Sequence, residues 1–123
     1  MPVVITDETL WAILNDQLSD QEAQALVWQA LGYVWDDAQS SWDATAVAEE
    51  WRQDYPEPPQ FIESRPATVK LTRSIPAPYK QLLKEELGFG GYSINELIPR
   101  KTRRATIVNW LLAYRRQQGT AVH

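Results

Sequence analysis

Four cations in five positions, Arg100, Lys101, Arg103 and Arg104, follow Pro99 and are the residues of this chain best suited to chemistry. Ile107, Val108, Trp110, Leu111 and Leu112 come next and predict a helix, about 100–117, that is apolar on most sides. The cations therefore sit at a helix start. The macrodipole favours anions there, and each exposed cation costs about 0.3–1 kcal/mol. Something anionic should offset them. Guanidinium forks suit carboxylate and phosphate, and the free N–H groups of a first turn add to the attraction. Two sources stay open. Glu49, Glu50, Asp54 or Glu57 could neutralise the run inside the fold, or an anionic partner could do so from outside. The reading leans to internal pairing for at least one of Arg103 and Arg104, and to external contact for Arg100 and Lys101. A second set, Arg65, Lys70 and Arg73, would extend the patch if its segment is helical, since Lys70 and Arg73 then share a face. The alternative is a plain solvated face.

The aromatic residues are the other candidates. Of six tryptophans, Trp11, Trp28, Trp51 and Trp110 lie among apolar neighbours and are expected in the core. Trp35 and Trp42 flank the polar stretch Asp36 to Ser41 and are expected to be partly exposed. Such a pair could anchor a protein partner or stack on a base or pigment, or its members could pack on each other.

Much other chemistry has no residues to run on. Cysteine is absent, which excludes disulfides, thiol catalysis and cysteine-ligated metals. The single histidine is the last residue, His123. Glu49–Glu50 and Asp36–Asp37 are sequence neighbours, which diverge by about 100° on a helix and make poor acid–base dyads. Gly88, Gly90 and Gly91 lack the Gly-Lys-Ser/Thr of a phosphate-binding loop. No catalytic, cofactor-binding or metal-ligating residue is assigned, and the chain is expected not to be an enzyme.

The elements that must position these residues are mostly helical. Thr6 caps a helix predicted over 7–17, and Ser19 with Glu22 forms a capping box for 20–31, which Gly32 stops. Residues 33–42 read as a small hairpin or an aromatic-pinned loop. Asp43 is placed to cap a helix over about 44–55. Pro56-Glu57-Pro58-Pro59 must run extended, and Phe61 and Ile62 should pin it back onto the core. Residues 64–75 are open between helix and strand. Helix is favoured because Arg65-Pro66-Ala67-Thr68-Val69 echoes Arg103-Arg104-Ala105-Thr106-Ile107. A helix over 77–87 ends at Gly88, and Ile94 and Leu97 should anchor the stretch that follows. The expected fold is mainly α, a single compact bundle of five or six short helices, with a two-stranded hairpin near 33–42 as an option. Leu26, Val27, Leu31, Leu82, Leu83, Ile107, Trp110 and Leu111 should share one core. All 123 residues form one domain, and the Pro-rich connection 56–59 is no boundary.

Charge divides along the chain. Residues 1–64 carry thirteen carboxylates against Arg52 alone, whereas residues 65–123 carry eleven cations against Glu85, Glu86 and Glu96. The halves can neutralise each other on folding, or a charged face can stay open for a partner. No segment reaches the roughly 18 apolar residues of a membrane span, and MPVVITDETLW reads as neither a signal nor a transit peptide. A cytoplasmic location is expected. The favoured function is a non-enzymatic binding or assembly protein that docks an acidic or anionic partner through the basic helix start and exposed aromatics. The alternative is a nucleic-acid-binding domain using the same cations, which the sequence pI of about 4.9 disfavours. Oligomeric state is left open.

The strings EEWRQDYPEPP (49–59), SRPATVKLTRSIP (64–76) and PRKTRRATIVNWLL (99–112), with LWAILND (10–16) and LVWQALGY (26–33), resemble a small family of unknown function. Its members occur in cyanobacteria, with relatives in plastids. The resemblance spans Leu10 to about Tyr114. It implies a cyanobacterial cytoplasmic or plastid stromal setting and carries no activity, cofactor or site residue.

Overall fold

Ser19 and Glu22 close their capping box, with the Glu22 backbone N–H donating to Ser19 Oγ and the Ser19 N–H to Glu22 Oε1. This starts α2 (Asp20–Leu31) at the residue the sequence marked. Gly32 stops it with φ of +112°, and the Tyr33 N–H reaches back to the Trp28 carbonyl at 3.0 Å. The computed structural model describes residues 5–96 and 98–121 of the chain. The remaining helices are α1 (Asp7–Leu14), α3 (Glu49–Asp54), α4 (Arg65–Arg73), α5 (Leu82–Leu87) and α6 (Pro99–Ala121). A two-stranded antiparallel hairpin, β1 (Val34–Asp36) and β2 (Ser41–Asp43), sets Trp35 opposite Trp42.

The long helix α6 packs against α1, α2, α4 and α5. Its seven consecutive residues Ile107 to Ala113 are all buried, as an almost all-round apolar helix requires. Asn109 is the polar member of that run. Its Oδ1 accepts the Leu83 N–H and its Nδ2 donates to the Tyr79 carbonyl. These bonds satisfy a break the sequence did not show. The predicted helix 77–87 is a 3-10 turn at Ala77–Tyr79 followed by the shorter α5. Pro78 fits only a first turn, and Asn109 caps the backbone where the chain restarts.

Gln24 and Trp28, one turn apart on α2, hold the proline-rich segment. Trp28 Nε1 donates to the Pro59 carbonyl at 2.7 Å, and Gln24 Oε1 accepts the Ile62 N–H at 2.9 Å. Phe61 and Ile62 are buried, so the segment is pinned as expected, but it bends at Pro56 and Glu57 where an extended run was expected. Residues 64–75 resolve as helix: Ser64 Oγ accepts the Ala67 N–H, and Pro66 occupies the first turn.

Other boundaries differ from the sequence reading. The first helix ends at Leu14 because Asp16 takes a left-handed φ of 60°. The third starts only at Glu49. Asp43 spends its side chain on an Asx turn, accepting from the Thr45 N–H and hydroxyl, which delays the helix. Of the eight expected core residues, Val27, Leu82, Ile107, Trp110 and Leu111 are buried, whereas Leu26, Leu31 and Leu83 are half-buried at its rim. Ile94, expected to anchor its stretch, stands 86% exposed, and Leu97 lies outside the described residues, as does His123.

Candidate functional site

The basic run at the start of α6 is offset from within, by carboxylates other than those the sequence reading named. Arg104 is 1% exposed. Its Nε donates to the Ile13 carbonyl (3.0 Å), Nη1 to Asp20 Oδ1 (2.6 Å) and Nη2 to the Leu18 carbonyl (2.5 Å). Arg100 forks onto Asp16, with Nη1–Oδ2 at 2.9 Å and Nη2–Oδ1 at 2.7 Å, and its Nε reaches Asp20 Oδ2 at 3.1 Å. The hydrogen bond from Arg100 holds the Asp16 carboxyl below its usual range, against the opposing effect of desolvation. Asp16 and then Asp20 in turn raise Arg100.

The local structure explains the pairing. Asp16, in its left-handed turn after α1, and Asp20, in the first turn of α2, stand on the two sides of one tight connection. The carbonyls of Ile13 and Leu18 flank the same connection. Arg104 plugs this carbonyl-lined cup and Arg100 closes it. The sequence reading sought the counter-charges in Glu49, Glu50, Asp54 and Glu57. The signal it passed over was an acidic residue on each side of a short helix–helix turn.

Arg103 donates to the Ile62 carbonyl at 2.8 Å, and Lys101 Nζ lies 5.7 Å from the centre of the Tyr92 ring. Lys70 is also engaged, bonding Asp54 at 2.7 Å and the Glu50 carbonyl at 2.8 Å while sitting 5.1 Å above Trp51. Arg65 and Arg73 differ: both are exposed, and neither forms an ion pair among the described residues. They line an open groove of about 600 Å³ along α4, together with Asp54, Tyr55, Pro66, Val69 and Lys70.

Trp35 and Trp42 form the second candidate. Trp35 is 47% exposed and Trp42 half-buried. Their rings meet edge to face at 5.7 Å, and Trp42 meets the buried Trp28 the same way at 5.3 Å. Three indoles thus run from core to surface. A groove of about 330 Å³ opens beside them, lined also by Gln21, Glu57 and Pro58. The groove on α4 and the groove at the hairpin flank the same proline-rich segment, since Asp54 and Tyr55 line one and Glu57 and Pro58 the other. The structure does not unite the eight candidate residues: it groups Arg100 with Arg104, Lys70 with Arg73, and Trp35 with Trp42.

Residues 4–116 match the family described as "Domain of unknown function (DUF1823)". The chain belongs to this family. A structure solved by NMR in solution is 81% identical to this DUF1823 chain, with a TM-score of 0.86, and the match covers 97% of this chain and 99% of that one. No curated protein matches. Among the described residues of this DUF1823 domain, no group of three or more His, Cys, Asp or Glu side chains is arranged to hold a metal ion. No described helix is long and apolar enough to cross a membrane.

Proposed function

We propose that this DUF1823 chain is a non-enzymatic binding protein that docks an acidic protein partner, and that its docking face is the groove on α4. The observation that carries the reading is a contrast in how the cations are employed. Arg100 and Arg104 are held by Asp16 and Asp20, whereas Arg65 and Arg73 stand exposed with no ion pair among the described residues. The carboxylate lining their groove, Asp54, is already bonded to Lys70. Val69, Pro66 and Tyr55 add apolar lining to that groove beside its charged residues, a mixture that suits a protein interface. The aromatic pair Trp35 and Trp42 lies beyond the shared segment and is no part of this docking face.

An acidic protein is favoured over nucleic acid on charge. A duplex or strand needs a continuous basic track, and two cations of the densest run, Arg100 and Arg104, are paired with the chain's own carboxylates. The setting proposed with this function is a cyanobacterial cytoplasm or plastid stroma.

The test is affinity capture from a native extract at low salt, with and without nuclease, comparing the parent chain with an Arg65→Glu, Arg73→Glu double variant. The expected result is a nuclease-resistant protein retained by the parent, lost at high salt and lost in the variant, with an unchanged melting temperature. Retention that the double variant leaves intact would overturn the α4 face. Nuclease-sensitive retention would replace the protein partner with nucleic acid.

A further inference from the structure

The hairpin groove differs from the α4 groove in both sign and surface. It is lined by Trp28, Trp35, Trp42 and Pro58, and it carries Glu57 with no lining cation. Glu57 is exposed and has no hydrogen bond or ion pair among the described residues. Asp37, at the tip of the hairpin, adds a carboxylate beside Trp35, whose Nε1 it accepts at 2.6 Å.

The chain already shows what these indoles recognise. Pro56-Glu57-Pro58-Pro59 bends at Pro56 and Glu57 and then passes Trp28, whose N–H donates to the Pro59 carbonyl. Proline-rich ligands are held in this way: an extended backbone presents carbonyls to indole N–H groups while pyrrolidine rings lie on aromatic faces. One indole further out, Trp42 lines the same groove. Its ring stands edge-on to both neighbours, and its N–H has no hydrogen-bond partner among the described residues. Trp35 supplies an exposed ring beside it.

We infer that the hairpin groove binds an extended proline-containing peptide segment carrying basic residues, its prolines on Trp35 and Trp42, a backbone carbonyl on Trp42 Nε1, and a cation facing Glu57. Charge complementarity selects the basic segment: among the described residues, the lining of the groove holds Glu57 and no cation, and Asp37 lies next to it on Trp35. A proline-rich backbone is selected because it is pre-extended and loses little entropy on docking. This site shares no residue with the α4 groove, so either can fail without the other.

The experiment is a titration of the whole chain, followed by tryptophan fluorescence and calorimetry, with three synthetic peptides. The first is Arg-Pro-Pro-Leu-Pro-Pro-Arg, the second replaces both Arg with Glu, and the third replaces the Pro with Ala. The expected result is saturable binding of the first, weakened about tenfold or more by either replacement and by Trp35→Ala or Glu57→Lys. Trp42→Phe keeps the ring and removes the N–H, and should weaken binding by a smaller factor. Circular dichroism melts check that each variant folds. Glu57→Lys, on an exposed segment, decides the matter if Trp35→Ala does not fold. Absence of saturable binding by the parent chain, equal binding of the glutamate peptide, or indifference to both Trp35→Ala and Glu57→Lys would each overturn the inference.

Discussion

Arg104 Nη1 and Asp20 Oδ1 lie 2.6 Å apart across 84 residues of sequence, joining the basic half of the chain to the acidic half at the one arginine with almost no exposure. The bond does more than cancel charge. The same guanidinium also satisfies the Ile13 and Leu18 carbonyls, so a single side chain closes the α1–α2 connection. Removing it would leave the Ile13 and Leu18 carbonyls without this donor and Asp20 with Arg100 alone.

Arg104→Ala should therefore destabilise the chain by about 3 kcal/mol, toward the lower end of the range for a broken buried pair because Asp20 keeps some solvent. Arg103→Glu, which loses one bond to the Ile62 carbonyl from a half-buried position, should cost roughly 1 kcal/mol. Chemical denaturation of the two single variants separates the effects. A melt of Arg104→Ala equal to that of the parent would show that the cup relaxes around the missing side chain.

The Arg100–Asp16 fork makes a pH prediction. Asp16 is held below its ordinary value in the folded chain, first by its hydrogen bond from Arg100. The unfolded state then binds the proton more readily. The stabilisation is fully present above the unfolded value near pH 4 and drains away as pH falls through the lower folded value. Asp16→Asn keeps the left-handed turn, which Asn tolerates, and removes the titrating group. Melting temperature should fall more steeply for the parent than for Asp16→Asn between about pH 5 and pH 3. Parallel curves would mean that the fork contributes no net stability.

The pairing also shows where sequence reading stops. Local signals were legible: the Ser19–Glu22 box, the stop at Gly32, the Ser64 cap and the apolar wheel of α6 all reside within a few neighbouring residues. The expectation that cations at a helix start need an anionic counterpart was sound physics. Which carboxylates answer them depends on how α1 and α2 dock on α6, a property of tertiary packing. Glu49, Glu50 and Glu57 were equally plausible on charge, yet Asp54 answers Lys70, while Asp16 and Asp20 answer the arginines. The break before α5 was hidden for the same reason, because the side chain that satisfies it, Asn109, is contributed from 26 residues away in sequence.

Two glycines that end helices should respond differently to alanine. Both Gly32 and Gly88 have positive φ, +112° and +68°. At Gly88 an added Cβ meets nothing within 4 Å, so Gly88→Ala should cost only the left-handed strain, roughly 1–2 kcal/mol. At Gly32 the Cβ would lie 2.7 Å from the Ala46 carbonyl oxygen and 3.1 Å from its carbon. Backbone cannot swing aside as a flexible side chain can. Gly32→Ala should cost about 3 kcal/mol or more, combining strain with the clash. It should also disturb the segment between the hairpin and α3, readable as lost amide protection around Val47. Equal costs at the two positions would mean that the 45–47 turn yields easily.

Tyr33 sets the alkaline limit. Its ring is 1% exposed beneath the loop that follows α2, and its hydroxyl donates to the Tyr55 carbonyl at 2.6 Å. Burial pushes the phenol up from 10.0 to about 12, since the phenolate would lose its hydration and face a carbonyl that cannot donate to it. The sign is opposite to that of Asp16. The folded chain holds the proton more tightly than the unfolded chain, so stability is intact below pH 10 and falls between pH 10 and about 12. The loss across that window is on the order of 2–3 kcal/mol. Tyr33→Phe should cost about 1 kcal/mol at neutral pH through the missing hydrogen bond, then lose less stability on alkalinisation, so the two curves converge or cross above pH 11. Urea denaturation at stepped pH, with tyrosinate absorbance followed in parallel, measures both. A parent whose stability stays flat to pH 12 while all its tyrosines ionise would show that Tyr33 reaches water without unfolding, and that the Tyr33–Tyr55 bond does not lock the loop between α2 and α3.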